Sequence, residues 1–168
     1  MFNTRDLLDA SQRSLRTAAR TLQEARNVGI RTAFLCHSHR DRELAQGLVT
    51  IFAEQGCTVY VDWMDASMPE KPDRTTAVRI QQKIIECDLF LFLATPNSMA
   101  SRWCPWELGY ADGKKNYDRI LIVPTRTGAT THGNEYLDVY RSVELSKTGN
   151  VASWRPSETT GGIFLENL

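Results

Sequence analysis

The chain carries no net charge, its 20 Lys and Arg balancing 20 Asp and Glu over 168 residues. That balance leaves no electrostatic footprint for nucleic acid or for an anionic membrane surface. It also lacks a long hydrophobic run. The longest uninterrupted apolar stretch is Leu89 to Ala94, far short of the ~20 residues of a bilayer span. No apolar signal segment opens the sequence, so a cytoplasmic location is expected. The cysteines Cys36, Cys57, Cys87 and Cys104 include no C-x-x-C pair, which excludes a zinc knuckle or a thioredoxin-type motif. Most of them border or lie in apolar stretches, where a free thiol behaves as a small hydrophobe. All four are therefore expected to be reduced, as in a cytosolic protein. No internal repeat and no low-complexity tract is present. What remains is ordinary for one soluble domain: 42% hydrophobic and 24% charged residues, at a length that buries roughly 70% of the unfolded surface.

Residues 1–29 form a distinct first element. Asn3 or Thr4 can cap a helix running to about Arg26, with Asn27 and Gly29 as stop signals. Leu8, Leu15 and Leu22 recur seven apart, with Ser11, Ala18 and Ala25 between or after them, giving a narrow a/d-like seam. The helix either packs on its own domain or mediates self-association. From 30 to 148 strands alternate with helices. Thr32 to Cys36 reads as the first strand, and Ser38 with Asp41 as a capping box. The helix so opened carries Leu44, Leu48, Ile51 and Phe52 on one face and stops at Gly56. Cys57 to Val61 is the second strand, followed by a loop with Pro69 and Pro72 and a helix with Val78, Ile80, Ile84 and Ile85. Leu89 to Ala94 reads as a strand buried on both faces. Ser101 to about Asp112 reads as helix, Arg119 to Pro124 as strand, and Tyr136 to Leu145 as an edge strand. Residues 149–168 read as a polar tail that closes over a pocket or covers a sheet edge.

Such alternation predicts an α/β fold with a flavodoxin-like parallel sheet of order 2-1-3-4-5, helices on both faces, and the N-terminal helix added. Ligands of such sheets bind where the strand order reverses, outside the carboxyl ends of the first and third strands. Those ends are the loops 36–41 and 95–101. In the first, Arg40 and Arg42 beside a helix start can hold a phosphate; the alternative is a solvated, charged helix end. His37 and His39 have no third ligand at suitable spacing, so no metal is expected. The first strand lacks the acidic cluster of a phospho-accepting receiver. In the second region, Trp103, Glu107 and Tyr110 fall on one helix face, with Pro105 in the first turn. A carboxylate flanked by Trp103 and Trp106 is either a site or two core tryptophans beside an exposed acid.

The stretch Ser101-Arg-Trp-Cys-Pro-Trp-Glu-Leu-Gly109 resembles the S-x-W-x-x-x-E-L motif of Toll/interleukin-1 receptor (TIR) domains, and Thr32 to Ala45 is similar to their first strand and helix opening. The Pro105-Trp106-Glu107-Leu108-Gly109 form is similar to a bacterial NAD-consuming subgroup of the Thoeris-like defence type. The resemblance implies a glycohydrolase, an NAD nucleosidase or ADP-ribosyl cyclase, that cuts the nicotinamide–ribose bond of NAD or NADP with Glu107 as the required carboxylate. NAD is then a substrate, and no cofactor is implied. Trp103, His37, Ser38, Arg40, Ser98, Ser101 and Asp62 become the candidate substrate contacts. The product is ADP-ribose, a cyclised isomer or a conjugate, and in prokaryotic antiphage immunity it would act on a downstream effector. The family also implies a homo-oligomer in which the loop after the second strand acts across copies through Asp65, Lys71 and Arg74. Here that loop departs from the usual pattern, having no Gly between Asp62 and Thr76. Two other readings stand beside this one: a non-catalytic scaffold that signals by self-association, and a nucleoside-processing enzyme of similar fold.

Overall fold

The computed structural model describes residues 1–13, 21–65, 73–133, 135–146, 148–158 and 160–168. The chain opens with β1 (Phe2–Asn3), α1 (Thr4–Ser11) and α2 (Leu22–Asn27). The alternating part follows as β2 (Arg31–Cys36), α3 (Arg42–Glu54), β3 (Cys57–Tyr60), α4 (Arg74–Glu86) and β4 (Leu89–Ala94). Then come α5 (Pro96–Met99), α6 (Trp103–Asp112), β5 (Ile120–Thr127) and β6 (Thr130–His132). The chain ends through β7 (Arg141–Leu145), β8 (Val151–Trp154) and β9 (Ile163–Phe164).

The central strands lie side by side as β3-β2-β4-β5-β7, all parallel. Strand periodicity decides which side chains serve which layer. In β4, Leu89, Leu91 and Leu93 enter one core with the α1 and α3 residues Leu7, Ala10, Leu48 and Phe52. Phe90, Phe92 and Ala94 enter the other, with Ile80 and Ile84 of α4 and Leu108 and Ala111 of α6. Both faces of the sheet are thus covered, which is why β4 reads as an unbroken apolar run. On β2 the same alternation places Ala33 and Leu35 in the first core and Phe34 and Cys36 in the second.

Four expectations are corrected. The N-terminal segment is not one helix: α1 ends at Ser11, and Thr21 caps α2 through a reciprocal capping box with Glu24. The heptad seam does not form, because Leu8 is 39% exposed whereas Leu7 and Ala10 are fully buried; Leu15 and Ala18 lie outside the described residues. Phe2 pairs in parallel register with Thr125 of β5 and is fully buried, so this end of the chain is built into the sheet. Gly47 permits that packing. A Cβ there would stand 1.9 Å from the Leu7 carbonyl oxygen, so only glycine lets α1 and α3 meet at the backbone.

The segment from Tyr136 is not an edge strand either. Residues Glu135–Val139 form a 3-10 turn, and β7 pairs on its far side with β8, which in turn pairs with β9. The polar tail therefore extends the sheet, with Val151, Ala152 and Ser153 buried. Its anchor is Arg141, whose side chain is almost wholly buried and donates to the Ser153 hydroxyl at 2.8 Å and to Asp118 at 3.2 Å. Finally, Asp41 does not complete a capping box. Ser38 caps a 3-10 turn at His39–Asp41, and the Asp41 carboxylate is taken by the loop after β4.

Candidate functional site

The carboxyl end of β2 meets the first turn of α6, and β4 packs on the same helix. Ser101 starts that helix by accepting from the backbone N–H groups of Trp103 and Cys104 at 3.2 and 3.3 Å. Pro105 then falls in the first turn, where its missing N–H costs nothing. One turn on, Glu107 points inward and is only 7% exposed. Burial pushes its carboxyl well above the usual carboxylate range. Hydrogen bonding from the Cys36 thiol offsets part of this, while Cys104 and Asp62 add to it. No ion pair joins Glu107 to a cation among the described residues. Burial without a paired cation favours the neutral acid.

Cys36 ends β2 and supplies the neighbouring wall. Its thiol donates to the Cys104 carbonyl at 3.7 Å, and burial raises its pKa well above the usual thiol value. It is therefore a neutral hydrogen-bond donor, not a thiolate. All four cysteines are free and buried.

His37 follows directly. Its Nδ1–H donates to the Leu35 carbonyl at 3.0 Å, which fixes the ring and leaves Nε2 as the bare nitrogen. That nitrogen has no hydrogen-bond partner and stands 3.7 Å from an Asp62 oxygen, with the side chain 3% exposed. Burial lowers the His37 pKa against the opposing Leu35 carbonyl and Asp62. The ring meets Trp63 edge-on at 4.4 Å, and the Arg42 guanidinium lies 5.4 Å over that indole. His37 and Asp62, 25 residues apart in sequence, are thus brought together.

The loop after β4 is held rigidly. Thr95 donates its hydroxyl to Asp41 at 2.5 Å, and Asn97 donates to the other Asp41 oxygen at 2.6 Å. Thr95 and Ser98 also form a capping box that starts α5. Ser98 is fully buried, and its hydroxyl both accepts from and donates to Thr95, so it presents no surface to the cleft. Ser38 is half-buried, and Arg40 is exposed on the 3-10 turn. Trp103 is 36% exposed and meets Trp106 edge-to-face at 5.4 Å; Trp106 in turn stacks on Tyr110 at 6.3 Å. The tryptophans are therefore not core residues, and Glu107 is not an exposed acid. Sequence reasoning assigned no role in the site to Cys36, Asp41, Thr95, Asn97 or Trp63. Only the switch-point position of the first four could have flagged them.

Of the assembly-loop candidates, Asp65 accepts from the Tyr60 hydroxyl at 2.8 Å, and Arg74 is exposed at the start of α4. Lys71 lies outside the described residues. Among the described residues no three potential ligands stand close enough to hold a metal ion. No described helix is long and apolar enough to cross a membrane.

A family model described as TIR domain matches residues 33–154, a span that reaches from β2 to the end of β8. The chain belongs to the TIR domain family. Among curated proteins, this TIR domain is similar to the probable 3' cyclic ADP-D-ribose synthase ThsB' of Bacillus cereus (strain MSX-D12), at 31% identity over 156 residues covering 83% of this chain and 81% of that protein. It is also similar to the putative cyclic ADP-D-ribose synthase TIR2 of Cytobacillus dafuensis, at 26% identity over 88 residues, covering 51% of this chain and 23% of the longer relative. The matched span includes β8.

Proposed function

We propose that this TIR domain is an enzyme that breaks the nicotinamide–ribose bond of NAD and releases a cyclised ADP-ribose isomer as a signal in prokaryotic antiphage defence. One observation carries the reading: a buried carboxyl without a cation, Glu107, lies one helical turn from the exposed Trp103 at the switch point of the sheet. The similarity to two proteins named as cyclic ADP-D-ribose synthases supports it.

The chemistry asks little of the protein beyond charge and order. Nicotinamide in NAD is cationic and departs neutral, so no proton need be delivered to it. Positive charge builds on the ribose as the bond breaks, and an anion against the sugar stabilises it. One such preorganised group contributes roughly 3 kcal/mol, about a hundredfold in rate. Glu107 fills that role. Burial shifts Glu107 toward the protonated form, and the arriving pyridinium favours the ionised one. Trp103 stacks on the planar ring and excludes water, which strengthens the charge interaction. Ser38, Arg40, Ser101, His37 and Asp62 surround the ribose and phosphates. A hydroxyl of the same molecule then captures the ribose cation in place of water, its proton passing to the Glu107 carboxylate. Copies associate so that Asp65, Lys71 and Arg74 complete a neighbour's site, and specific activity rises with protein concentration.

The test is product mass. Concentrated protein incubated with NAD should release nicotinamide and a partner one water lighter than ADP-ribose. ADP-ribose alone would replace cyclisation by hydrolysis. No nicotinamide from NAD or NADP would favour the self-associating scaffold instead.

A further inference from the structure

A cleft lies at the opposite pole of the sheet, where β2, β3 and β4 begin. It has a volume of about 750 Å³ and is lined by Arg26, Arg31, Arg119, Asp88 and Glu166, among others. That is within the usual range of a small-molecule site, roughly 300–1,000 Å³. Arg31 opens the strand that ends at Cys36, so the cleft stands about 17 Å from the switch point at ~3.3 Å per residue.

Its charge is unbalanced. Lys115 sits beside the arginines, and its ammonium pKa is lowered by burial first and by Arg119 and Arg26 as well. Three guanidinium groups line the cleft against two carboxylates, with Lys115 close by, in a chain of zero net charge. One of the carboxylates is engaged: an Asp88 oxygen accepts from both the backbone N–H and the hydroxyl of Thr32, at 2.8 and 2.9 Å. Helix C-termini attract basic side chains, and Lys115 answers one directly by donating to the Cys87 carbonyl at 2.5 Å. The three arginines do not: none of their guanidinium groups donates a hydrogen bond or forms an ion pair among the described residues. Each offers five N–H donors in a planar fork. Gly29 and Gly56 turn the backbone at its rim, with φ of +73° and +76° and no atom within 4 Å of where a Cβ would stand, while their N–H groups donate to the Arg26 and Ala53 carbonyls.

We propose that this cleft binds a phosphorylated anion of up to nucleotide size, with Arg31 and Arg119 gripping the phosphates and Arg26 flanking them. Guanidinium forks match phosphate oxygens two at a time, and such charge-assisted bonds are the strong ones. The site is separate from the one assigned to NAD cleavage, and it does not depend on that assignment. Free phosphate or pyrophosphate and a nucleoside diphosphate share the recognised chemistry.

The full chain, titrated at low salt with phosphate, pyrophosphate and ADP, separates these sources. Binding should weaken with added salt. Amide hydrogen exchange should slow at residues 29–31 and 56–57 when ligand is bound. Arg31→Gln and Arg119→Gln should each weaken binding at least about tenfold, while Glu107→Gln leaves it unchanged. ADP binding more than about tenfold tighter than pyrophosphate identifies a nucleotide site, and equal affinity identifies a phosphate site. Three results would overturn the proposal: no binding by any probe at about 1 mM, protection confined to 36–41 and 95–107, or affinity unchanged in both arginine variants. The exchange measurement uses the unaltered protein, so it decides the question even if a variant folds poorly.

Discussion

Replacing Glu107 by glutamine should make the protein more stable while removing its chemistry, a pairing that ordinary structural damage would not produce. The carboxyl is 93% buried, and burial raises its pKa well above the usual range. In the unfolded chain it titrates near 4.3. Between that value and the raised one, the folded state binds more protons than the unfolded state, so stability falls as pH rises through the window. Glutamine cannot ionise and keeps the shape. A buried polar group without its partner costs about 1–3 kcal/mol, so the variant should gain about that much at pH near 8. For a chain of this size, that is roughly 2–4 °C in Tm per kcal/mol. Near pH 4 the wild-type carboxyl is mostly protonated in both states, and the gain should nearly vanish. Urea unfolding at the two pH values, beside turnover of NAD, reads both effects at once. Turnover should fall at least about a hundredfold. A Glu107→Gln protein less stable than wild type near pH 8, or equally stabilised near pH 4, would refute the reasoning from burial.

Other outcomes follow from the same packing. Gly47→Ala should destabilise the fold by about 2–3 kcal/mol, because its Cβ would collide with the Leu7 backbone oxygen and overpacking outweighs the helix propensity gained; a neutral thermal melt would show that α1 does not pack there. Asp41→Ala should cost about 2–3 kcal/mol in urea unfolding, since the Thr95 hydroxyl and the Asn97 amide both lose their acceptor. His37 has its pKa lowered by burial, so the unfolded chain takes up that proton first as pH falls. Its contribution to stability is complete above about 6.5 and is lost below it. The rise in stability between about pH 5 and 7 should shrink in His37→Gln, and an unchanged slope would place the titration elsewhere.

The parallel sheet was legible because β4 states its burial in six consecutive apolar residues and α3 shows its inward face through Leu48, Ile51 and Phe52. The spacing from Trp103 to Glu107 was equally plain, since a helix repeats every 3.6 residues. The tail was hidden because β8 is four residues, Val-Ala-Ser-Trp, within a stretch rich in Ser, Thr and Gly; its strand state depends on β7 and on Arg141 reaching Ser153. The break between α1 and α2 was masked by leucines seven apart, a local pattern overridden by Phe2 and Leu7 entering the core. At the site, periodicity located Glu107 but not its environment. That Cys36 borders the carboxyl, or that Asp41 turns toward Thr95 and not to a helix cap, comes from strands 50 and more residues apart meeting in register.

The most direct test is nicotinamide release from NAD by concentrated wild-type protein, run beside Glu107→Gln at matched folded concentration. A catalytic role for Glu107 requires release by the wild type and a loss of at least about a hundredfold in the variant. Release at the wild-type rate from Glu107→Gln would contradict it.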